Sequence, residues 1–422
     1  MDHFRYVNGT AHCENVPLEK IANAVGTPAY VYSVATLIRH CTALKQAFKS
    51  YPTLPCYAVK ANSNLSILKE VFNQGFGADV VSIGELERAL LAGAKPEQIV
   101  YSGVGKRVDE ITRALNAGIL SFNLESAFEL DHIRDTARAC NKVARLCIRI
   151  NPNIDAKTHP KIATGLYSTK FGMAEESAKN LLKKIQGDPN LKLVGLACHI
   201  GSQIVDIKPL QEAAARMRHL AEEIIGLGFP LEFLNMGGGL GIRYNDETPP
   251  SLDIYANSLI EAIKPTGLKL VIEPGRVIMG NVGIIITKCI GSKANPEKTF
   301  VIVDAAMNDL LRPSIYGSFH DILTVNEKDA AGEKRLTDIV GPVCETGDFI
   351  GRDRLAPQIK EGSLLFVRSC GAYAASMASN YNSRPRAVEV LVRDQEFFVV
   401  KQREKLAALW ADELDALKKS SS

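Results

Sequence analysis

The residue best suited to chemistry in this sequence is Lys60, which follows the apolar run Cys56–Val59 and precedes Ala61 and Asn62. A lysine in a sequence is usually a solvated surface cation. A lysine at the end of a buried strand differs, because partial desolvation lowers its pKa and leaves a nucleophilic amine. Such an amine can hold an aldehyde cofactor covalently. Lys60 is therefore the first candidate for a catalytic residue.

A glycine-rich run, Gly237–Gly241, provides a second kind of chemistry. An isolated glycine run is usually a flexible turn. After a strand of an α/β barrel it can bind phosphate, because glycine lets backbone N–H groups approach the phosphate closely. Gly275 and Arg276 follow the next apolar segment, where the second half of such a site is expected. The position of the run favours phosphate binding.

Glu273 and His199 add a carboxylate and an imidazole. A carboxylate that faces a pyridine nitrogen keeps the nitrogen protonated, so that the ring accepts electrons and supports a carbanion. The alternative for Glu273 is an ion pair with Arg276. His199 is either a buried core histidine or a group that stacks on a ring, with Ser202 available to a phosphate. A lysine, an imidazole, a glycine loop and a carboxylate together indicate a site for pyridoxal 5'-phosphate (PLP).

Eight strand-like segments would position these residues. They start about 20–25 residues apart at first and about 35–50 apart later, which suits strand–helix units. The segments read CYAV from Cys56, ADVVS from Ala78, IVYSG from Ile99, SFNLE from Ser121, RLCIRI from Arg145, VGLACHI from Val194, FLNMGGG from Phe233 and KLVIEPG from Lys269. Eight such units predict a (β/α)8 barrel, in which functional residues gather where the strands end. Lys60 follows the first segment, Asp79 lies in the second and His199 ends the sixth.

The chain is longer than one barrel, since its 422 residues exceed the about 250 of a typical barrel. After Arg276 the sequence becomes β-rich, with turns between runs such as GIIITKCIG and TFVIVDAA. We predict an α/β protein with a PLP-binding (β/α)8 TIM-type barrel over residues 29–281 and a C-terminal antiparallel β domain over residues 282–422. Residues 1–28 are assigned to the β domain, which is expected to complete the active site.

The composition argues against several classes of function. A net charge of +3 gives no case for binding nucleic acid or an anionic membrane. No apolar run approaches the about 18 residues of a membrane span, and the start MDHFRYVNGT lacks the apolar core of a signal peptide. The nine cysteines include no C-x-x-C pair, so neither zinc nor a disulfide framework is indicated. We expect a cytoplasmic enzyme that uses no metal.

Longer strings carry a resemblance to a known family. They run from Tyr57 to Pro385 and read YAVKAN, GFGADVVSIGEL, SGVGK, FNLES, HIGSQ, GGGLG, EPGR, RPSIYG, GPVCETGD and GAYAASMASNYNSRP. In this order they resemble the alanine-racemase-fold (fold type III) PLP-dependent decarboxylases and, within them, the diaminopimelate decarboxylases. The resemblance implies decarboxylation of meso-2,6-diaminopimelate to L-lysine and CO2, the last step of lysine biosynthesis.

The resemblance also implies roles for individual residues. The catalytic residues would be Lys60, which carries PLP, His199, which stacks on it, Glu273, and Cys344, which donates a proton. The cofactor would be bound by Lys60, Asp79, His199, Ser202, Gly237, Gly238, Gly239, Glu273, Gly275, Arg276 and Tyr373. The amino-acid substrate would be bound by Arg276, Arg312, Tyr316, Glu345 and Tyr373. In this family the Cys344–Glu345 loop comes from the neighbouring subunit, so a homodimer with shared active sites is implied.

Two alternatives remain open. The first is a sister PLP decarboxylase that acts on ornithine, arginine or carboxynorspermidine. Arg312, Tyr316 and Glu345 argue against it, because guanidinium and phenol donors suit a distal carboxylate and an acid suits the distal ammonium. The second is a catalytically silent regulatory relative. Such a protein would be free to lose Lys60 or Glu273, and the sequence keeps both.

Overall fold

The computed structural model describes residues 2–330 and 332–420, and the chain divides into two compact units. Residues 38–278 form one unit, which we call the barrel unit. Residues 1–37 and 279–422 belong to the other, which we call the sheet unit. No helix in the described ranges is long and apolar enough to cross a membrane.

The N-terminal segment of the sheet unit is built from short strands and one helix. Its elements are β1 (Phe4–Val7), β2 (Thr10–Cys13), β3 (Val16–Pro17), α1 (Leu18–Val25), β4 (Ala29–Ser33) and the start of α2 (Val34–Ala47). Strands β1–β3 form an antiparallel sheet of their own. Helix α1 buries Leu18 and Ile21 at helical spacing and ends at Gly26, whose φ of 74° is open to glycine at no steric cost.

Eight parallel strands close into a barrel in the other unit, which confirms the predicted (β/α)8 fold. They are β5 (Thr53–Ala58), β6 (Gly77–Val80), β7 (Ile99–Tyr101), β8 (Ser121–Leu124), β9 (Ala144–Arg149), β10 (Leu191–Ala197), β11 (Phe233–Asn235) and β12 (Lys269–Ile272). Strands of a parallel barrel are covered on both faces, which is why each reads as a nearly continuous apolar run. All eight segments expected from the sequence are strands.

Helices follow the barrel strands and connect them. They are α3 (Leu65–Asn73), α4 (Ile83–Leu91), α5 (Val108–Ala117), α6 (Ala127–Ala139), α7 (Glu175–Ile185), α8 (Lys208–Gly226), α9 (Leu252–Ile263) and α10 (Arg276–Met279). Ser82 and Ser126 begin α4 and α6 by accepting hydrogen bonds from backbone N–H groups. These caps end the strand-to-helix turns within a few residues, so side chains after the strands have defined positions.

The C-terminal part of the chain adds strands and two helices to the sheet unit. They are β13 (Gly283–Ala294), β14 (Thr299–Val303), α11 (Arg312–Tyr316), β15 (Ile322–Thr324), β16 (Arg335–Val340), β17 (Phe349–Ala356), β18 (Leu364–Val367), β19 (Val388–Arg393), β20 (Glu396–Lys401) and α12 (Ala411–Ser420). The main sheet runs β17-β16-β14-β13-β4-β19-β20, with β18 also paired to β13 and β15 to β18. Most pairs are antiparallel, as predicted, while β14–β16 and β4–β19 are parallel.

Strand β4 lies in the middle of this sheet, although the sequence analysis counted residues 29–37 with the barrel. It pairs with β13 on one side and β19 on the other, and all five of its residues are buried. A five-residue apolar run has the same appearance in a barrel and in a sheet core. The position of β4 is therefore decided by its pairing partners, which lie more than 200 residues away in the chain.

A buried carboxylate, Glu14, joins the N-terminal strands to the rest of the sheet unit. Its Oε1 accepts hydrogen bonds from Ser33 Oγ and Ala35 N, each at 2.8 Å, and its Oε2 accepts one from Asp394 N at 2.5 Å. Only 7% of Glu14 is exposed. One carboxylate thus accepts hydrogen bonds from Ser33 and Ala35 and from Asp394, which is far from them in the sequence.

We expect Glu14→Gln to destabilise the sheet unit, because the amide group that replaces one oxygen cannot accept a hydrogen bond. The expected loss in unfolding free energy is about 1–3 kcal/mol. Urea unfolding followed by circular dichroism measures it, with Glu19→Gln, at an exposed position in α1, as the matched control. Equal midpoints for the two variants would contradict this role of Glu14.

Candidate active site

A cavity of about 450 Å³ lies within the barrel unit, at the ends of the strands. Three of the predicted catalytic residues, Lys60, His199 and Glu273, line it. Its volume is in the range of small-molecule sites, about 300–1,000 Å³. Two further residues of its wall, Lys170 and Phe171, come from the long segment between β9 and β10. The structure therefore brings together residues that are up to 213 positions apart in the sequence.

Lys60 forms an ion pair with Asp79. Lys60 lies in a short 3-10 turn directly after β5, and its Nζ is 2.7 Å from Oδ2 of Asp79 in β6. The lysine side chain is 40% exposed, whereas the Asp79 side chain is fully buried. Burial alone would raise the pKa of Asp79, but the Lys60 charge and hydrogen bonds from Lys60 and Ser102 outweigh it and lower the pKa. Asp79 therefore stays ionised and fixes the amine.

Hydrogen bonds continue from Asp79 across the barrel to Glu273. Ser102 Oγ donates to Asp79 Oδ1 at 2.7 Å, and Asn123 Nδ2 donates to Ser102 Oγ at 2.8 Å. The Asn123 amide also donates to Glu273 Oε1 at 3.2 Å, and Asn235 Nδ2 donates to the same oxygen at 2.6 Å. These contacts form one hydrogen-bonded network whose members are Lys60, Asp79, Ser102, Asn123, Glu273 and Asn235. Its three uncharged members, Ser102, Asn123 and Asn235, were not predicted from the sequence.

Asn235 defines which oxygen of Glu273 accepts hydrogen bonds. Its Oδ1 accepts the N–H of Gly237 at 2.9 Å, so its Nδ2 must be the group that faces Glu273. The amides of Asn123 and Asn235 therefore hold Oε1 as an acceptor. This arrangement stabilises Glu273 as a carboxylate in a fixed orientation, and Glu273 is the acid expected to face a pyridine nitrogen.

Ionising Glu273 is nevertheless unfavourable in this site. Burial, together with the negative charge of Asp79, raises the pKa of Glu273 to about 7, although Lys60 and the Asn235 hydrogen bond oppose the shift. A cation placed beside the carboxylate would remove this penalty. A protonated pyridine ring is such a cation.

His199 is held as a neutral imidazole. Its Nδ1 accepts the backbone N–H of Gly238 at 3.2 Å, so the ring proton of the neutral form lies on Nε2. Burial, with the charges of Arg149 and Lys60, lowers the pKa of His199 to about 3. The imidazole therefore stays uncharged near neutral pH, and it can stack on an aromatic ring without repelling a protonated one.

The glycine loop packs against the backbone on both sides. Gly237 and Gly239 have φ values of 63° and 112°, and a Cβ on Gly237 would lie 2.6 Å from the Cys198 carbonyl oxygen. A Cβ on Gly238 would lie 2.1 Å from the carbonyl oxygen of Glu273. Only glycine fits these three positions, so the loop is fixed against the ends of β10 and β12.

Arg276 provides a cation near this loop. Its guanidinium donates to Ser202 Oγ at 3.0 and 3.3 Å and to the Tyr244 hydroxyl at 2.7 Å. Gly239 approaches the same segment, since a Cβ there would lie 2.5 Å from the Gly201 carbonyl oxygen. Ser202, Arg276 and the glycine loop thus come together as predicted, and Tyr244 was missed. The pairing of Arg276 with Ser202 and Tyr244 differs from the Glu273–Arg276 ion pair that was the alternative.

A second charged cluster fixes the long segment between β9 and β10. Arg149 lines the cavity, donates to Glu125 at 2.6 Å and stacks on Phe171 with 5.0 Å between the guanidinium carbon and the ring centroid. The other oxygen of Glu125 accepts the N–H of Gly172 at 2.7 Å. The two ends of the stretch 149–172 therefore both contact Glu125. This stretch places Lys170 and Phe171 at the cavity.

The remaining predicted residues lie in the sheet unit. Arg312 and Tyr316 are the two ends of α11, and Ser314 between them donates to the Gly347 carbonyl at 2.7 Å. This bond joins α11 to the 341–348 loop, which carries Cys344 and Glu345. Tyr373 follows β18 with a φ of 58°. The structure thus brings α11 and the 341–348 loop together.

The 341–348 loop presents a thiol and a carboxylate at its surface. Asp348 holds the loop by accepting the N–H groups of Met307 and Val343, each at 2.7 Å. Cys344 is exposed, and its N–H donates to Asn382. Glu345 accepts the Tyr381 hydroxyl at 2.9 Å. Because Cys344 is exposed, it is not a packed core residue.

The donor set of the barrel unit fits PLP. Lys60 offers an amine for the aldehyde, and His199 offers a neutral ring for the face of the pyridine. Glu273 offers a carboxylate oriented by two amides. Arg276 and Ser202, next to the glycine loop, offer a cation and a hydroxyl for the phosphate. The aldehyde, the ring face, the pyridine nitrogen and the phosphate of the cofactor thus each have a chemical counterpart.

The raised pKa of Glu273 makes a prediction about stability. A carboxyl whose pKa is raised by folding stabilises the folded protein below its ordinary pKa of 4.5, and this contribution is lost as the pH rises through about 7. We therefore expect Glu273→Gln to stabilise the cofactor-free protein at pH 8 by about 1–3 kcal/mol, and less at pH 5.

Urea unfolding of the cofactor-free variants at the two pH values measures this difference. Glu261→Gln, at an exposed position in α9, is the control and should show no pH-dependent gain. A Glu273→Gln protein that is equally stable relative to wild type at pH 5 and pH 8 would show that the carboxyl is ionised without penalty.

Comparisons with known proteins show the family to which the chain belongs. The family model described as "Pyridoxal-dependent decarboxylase, pyridoxal binding domain" matches residues 34–280, more than half of the chain. A diaminopimelate decarboxylase of Neisseria meningitidis serogroup B is 48% identical over 408 residues, covering 97% of this chain and 98% of that protein. One from Vibrio cholerae is 46% identical over 413 residues, covering 97% and 98%.

Solved structures show the same relationship. The crystal structure of diaminopimelate decarboxylase from Helicobacter pylori complexed with L-lysine superimposes with a TM-score of 0.91 at 42% identity, covering 94% of this chain and 100% of that one. Family model, sequence relatives and solved structure therefore agree on one assignment. The chain belongs to the diaminopimelate decarboxylase family of PLP-dependent decarboxylases.

Proposed function

We propose that this enzyme removes CO2 from meso-2,6-diaminopimelate and releases L-lysine. The observation that carries the proposal is Glu273, a partly buried carboxylate that two amides hold in one orientation within the cavity that Lys60 also lines. The relatives' names and the lysine in the Helicobacter pylori complex support the choice of substrate.

Lys60 is proposed to bind the cofactor through its amine. Asp79 would orient the amine, because its carboxylate remains ionised at 2.7 Å from Nζ. Loss of the Nζ proton leaves a nucleophile next to a fixed anion. Asp79 would also hold this amine in the cavity while substrate is bound.

PLP, when bound, withdraws electrons from the substrate carbon that loses CO2. Glu273 is proposed to hold a proton at the pyridine nitrogen, since its carboxylate is stabilised by that positive charge. Neutral His199 is proposed to cover one face of the ring and to exclude water there. Ser202, Gly237–Gly239, Gly275, Arg276 and Tyr373 are proposed to bind the phosphate end.

The sheet unit is proposed to complete the active site. We assign this role to the sheet unit and cofactor binding to the barrel unit. Arg312 and Tyr316 would bind the distal carboxylate, Arg276 and Tyr373 would contribute to substrate binding, and Glu345 would bind the distal ammonium. Fixing the distal end orients the reacting carboxylate, which converts binding energy into rate.

Cys344 is proposed to donate the proton that replaces CO2. Its exposure in the single chain supports the idea that the Cys344–Glu345 loop serves the active site of a partner in a homodimer. All nine cysteines lie among the described residues and are free thiols. Free thiols are typical of a reducing compartment, and we propose a cytoplasmic location.

CO2 release from meso-diaminopimelate tests the function, measured beside ornithine, arginine and lysine with and without added PLP. We expect PLP-dependent release from diaminopimelate alone, with L-lysine as the product. Lys60→Ala is the control and should lose both turnover and the absorbance of the lysine-bound cofactor. Release from another amino acid would contradict the distal-end assignment, and no release despite bound PLP would favour a silent regulatory protein.

Shared active sites make a separate prediction. Lys60→Ala and Cys344→Ala chains with different affinity tags are co-expressed, and the mixed dimers are purified through both tags. If each active site combines Lys60 of one chain with Cys344 of the other, one site per mixed dimer is intact. We then expect about half of the wild-type activity, while each variant alone is nearly inactive. Mixed dimers as inactive as the single variants would show that each chain completes its own site.

A further inference from the structure

The side chains of His320 and Ser318 contact the guanidinium of Arg312, and neither has a role in the proposed mechanism. Arg312 begins α11, and only 4% of it is exposed. Its Nη1 is 2.8 Å from Nε2 of His320, and its Nη2 donates to Ser318 Oγ at 3.3 Å. Because a guanidinium is planar, two contacts on different nitrogens fix the plane of the group. The shorter contact is the one to His320.

The partners of His320 determine its protonation state. Its Nδ1 is 2.8 Å from the Arg368 carbonyl oxygen, which can only accept a hydrogen bond, so Nδ1 carries a proton. Arg312 can only donate, so Nε2 must present a lone pair. Both contacts are satisfied by the neutral imidazole with its proton on Nδ1. A protonated imidazole would place a second cation against Arg312 and lose the acceptor.

The groups that face the ring also favour the neutral form. His320 is fully buried, and burial disfavours the charged imidazole. Cys370 Sγ lies 3.7 Å from Nδ1, and burial raises the pKa of the Cys370 thiol well above its ordinary value, so the thiol is uncharged. The nearest charge is therefore the positive charge of Arg312.

Other charged groups near His320 contact its backbone neighbours. Arg354 donates to the His320 carbonyl oxygen at 3.0 Å. The Arg368 side chain pairs with Asp2 at 2.7 Å and with Asp321 at 3.8 Å. Asp2 and Asp321 thus each form an ion pair with Arg368.

We propose that His320 is a positioning residue whose neutral imidazole holds the Arg312 guanidinium in the orientation that binds the distal carboxylate of the substrate. The proposal rests on the role of Arg312 in the proposed function. It makes substrate affinity depend on His320 as well as on Arg312 itself.

Two substitutions separate this role from a purely structural one. The amide of glutamine reaches about as far as Nε2, and its oxygen can accept from Arg312 while the contact to the Arg368 carbonyl is lost. The amide of asparagine reaches about as far as Nδ1, and its nitrogen can donate to the Arg368 carbonyl while the contact to Arg312 is lost. His320→Gln thus keeps the proposed function of His320, and His320→Asn keeps its anchor in the fold.

The PLP-loaded enzymes are compared by KM and kcat for meso-diaminopimelate and by inhibition constants for L-lysine and cadaverine. L-Lysine keeps the distal carboxylate, and cadaverine lacks it. We expect His320→Asn to raise KM and the L-lysine inhibition constant by about 10-fold or more. Its kcat and the cadaverine inhibition constant should change much less. His320→Gln should stay within about 3-fold of wild type in KM.

His12→Asn is the matched control, since His12 lies in the same unit and its Nδ1 also contacts a backbone carbonyl, that of Thr10 at 2.9 Å. It should leave KM unchanged. Circular dichroism and PLP content confirm that each variant is folded and loaded.

The outcomes distinguish the inference from the function on which it rests. No decarboxylation of diaminopimelate by the wild type would remove the proposed function itself. A wild type that is active, with His320→Asn unchanged in KM, would overturn the positioning role alone. A loss in His320→Gln larger than that in His320→Asn would also overturn it, because the contact to the Arg368 carbonyl would then be the important one.

Discussion

The arrangement at the barrel mouth depends on two acids that share one site. Asp79 is fully buried, Glu273 is partly buried in the cavity wall, and the charge of Asp79 contributes to the raised pKa of Glu273. Two nearby anions in a low-dielectric site destabilise each other. Lys60 offsets the first anion directly, and the amides of Asn123 and Asn235 hold the second one ready for a cation. A positively charged ring beside Glu273 would offset this repulsion.

The backbone around these acids is closely packed. The N–H groups of Gly237 and Gly238 donate to Asn235 and His199, so the glycine loop orients these two side chains. Since these glycines also contact the ends of β10 and β12, a side chain on any of them would displace Glu273 or His199. Packing and electrostatics are therefore coupled here, and the loop tolerates little change.

The residues with strong chemical character could be predicted from the sequence. Lys60, Glu273 and the glycine run stand at strand ends in a regular series of strands, and parallel strands bring their ends together. Ser102, Asn123 and Asn235 could not be found in the same way, because uncharged side chains at strand ends are common and carry no spacing signal. The strings SFNLE and FLNMGGG each carry an asparagine near the end of a strand, which was the available clue. The pairing of β4 depends on distant strands and has no local signal.

We propose that Glu273 controls the electron demand of the cofactor through its charge. The most direct measurement is the rate of CO2 release from meso-diaminopimelate by Glu273→Gln at saturating PLP, after absorbance has shown that the cofactor is bound. The carbonyl oxygen of the substituted glutamine can accept the same amide hydrogen bonds, but the side chain carries no charge. We expect a rate at least about 100-fold below that of the wild type, which is the size of effect seen when a major electrostatic group of an active site is removed. A rate within a few-fold of wild type, with PLP bound, would contradict it.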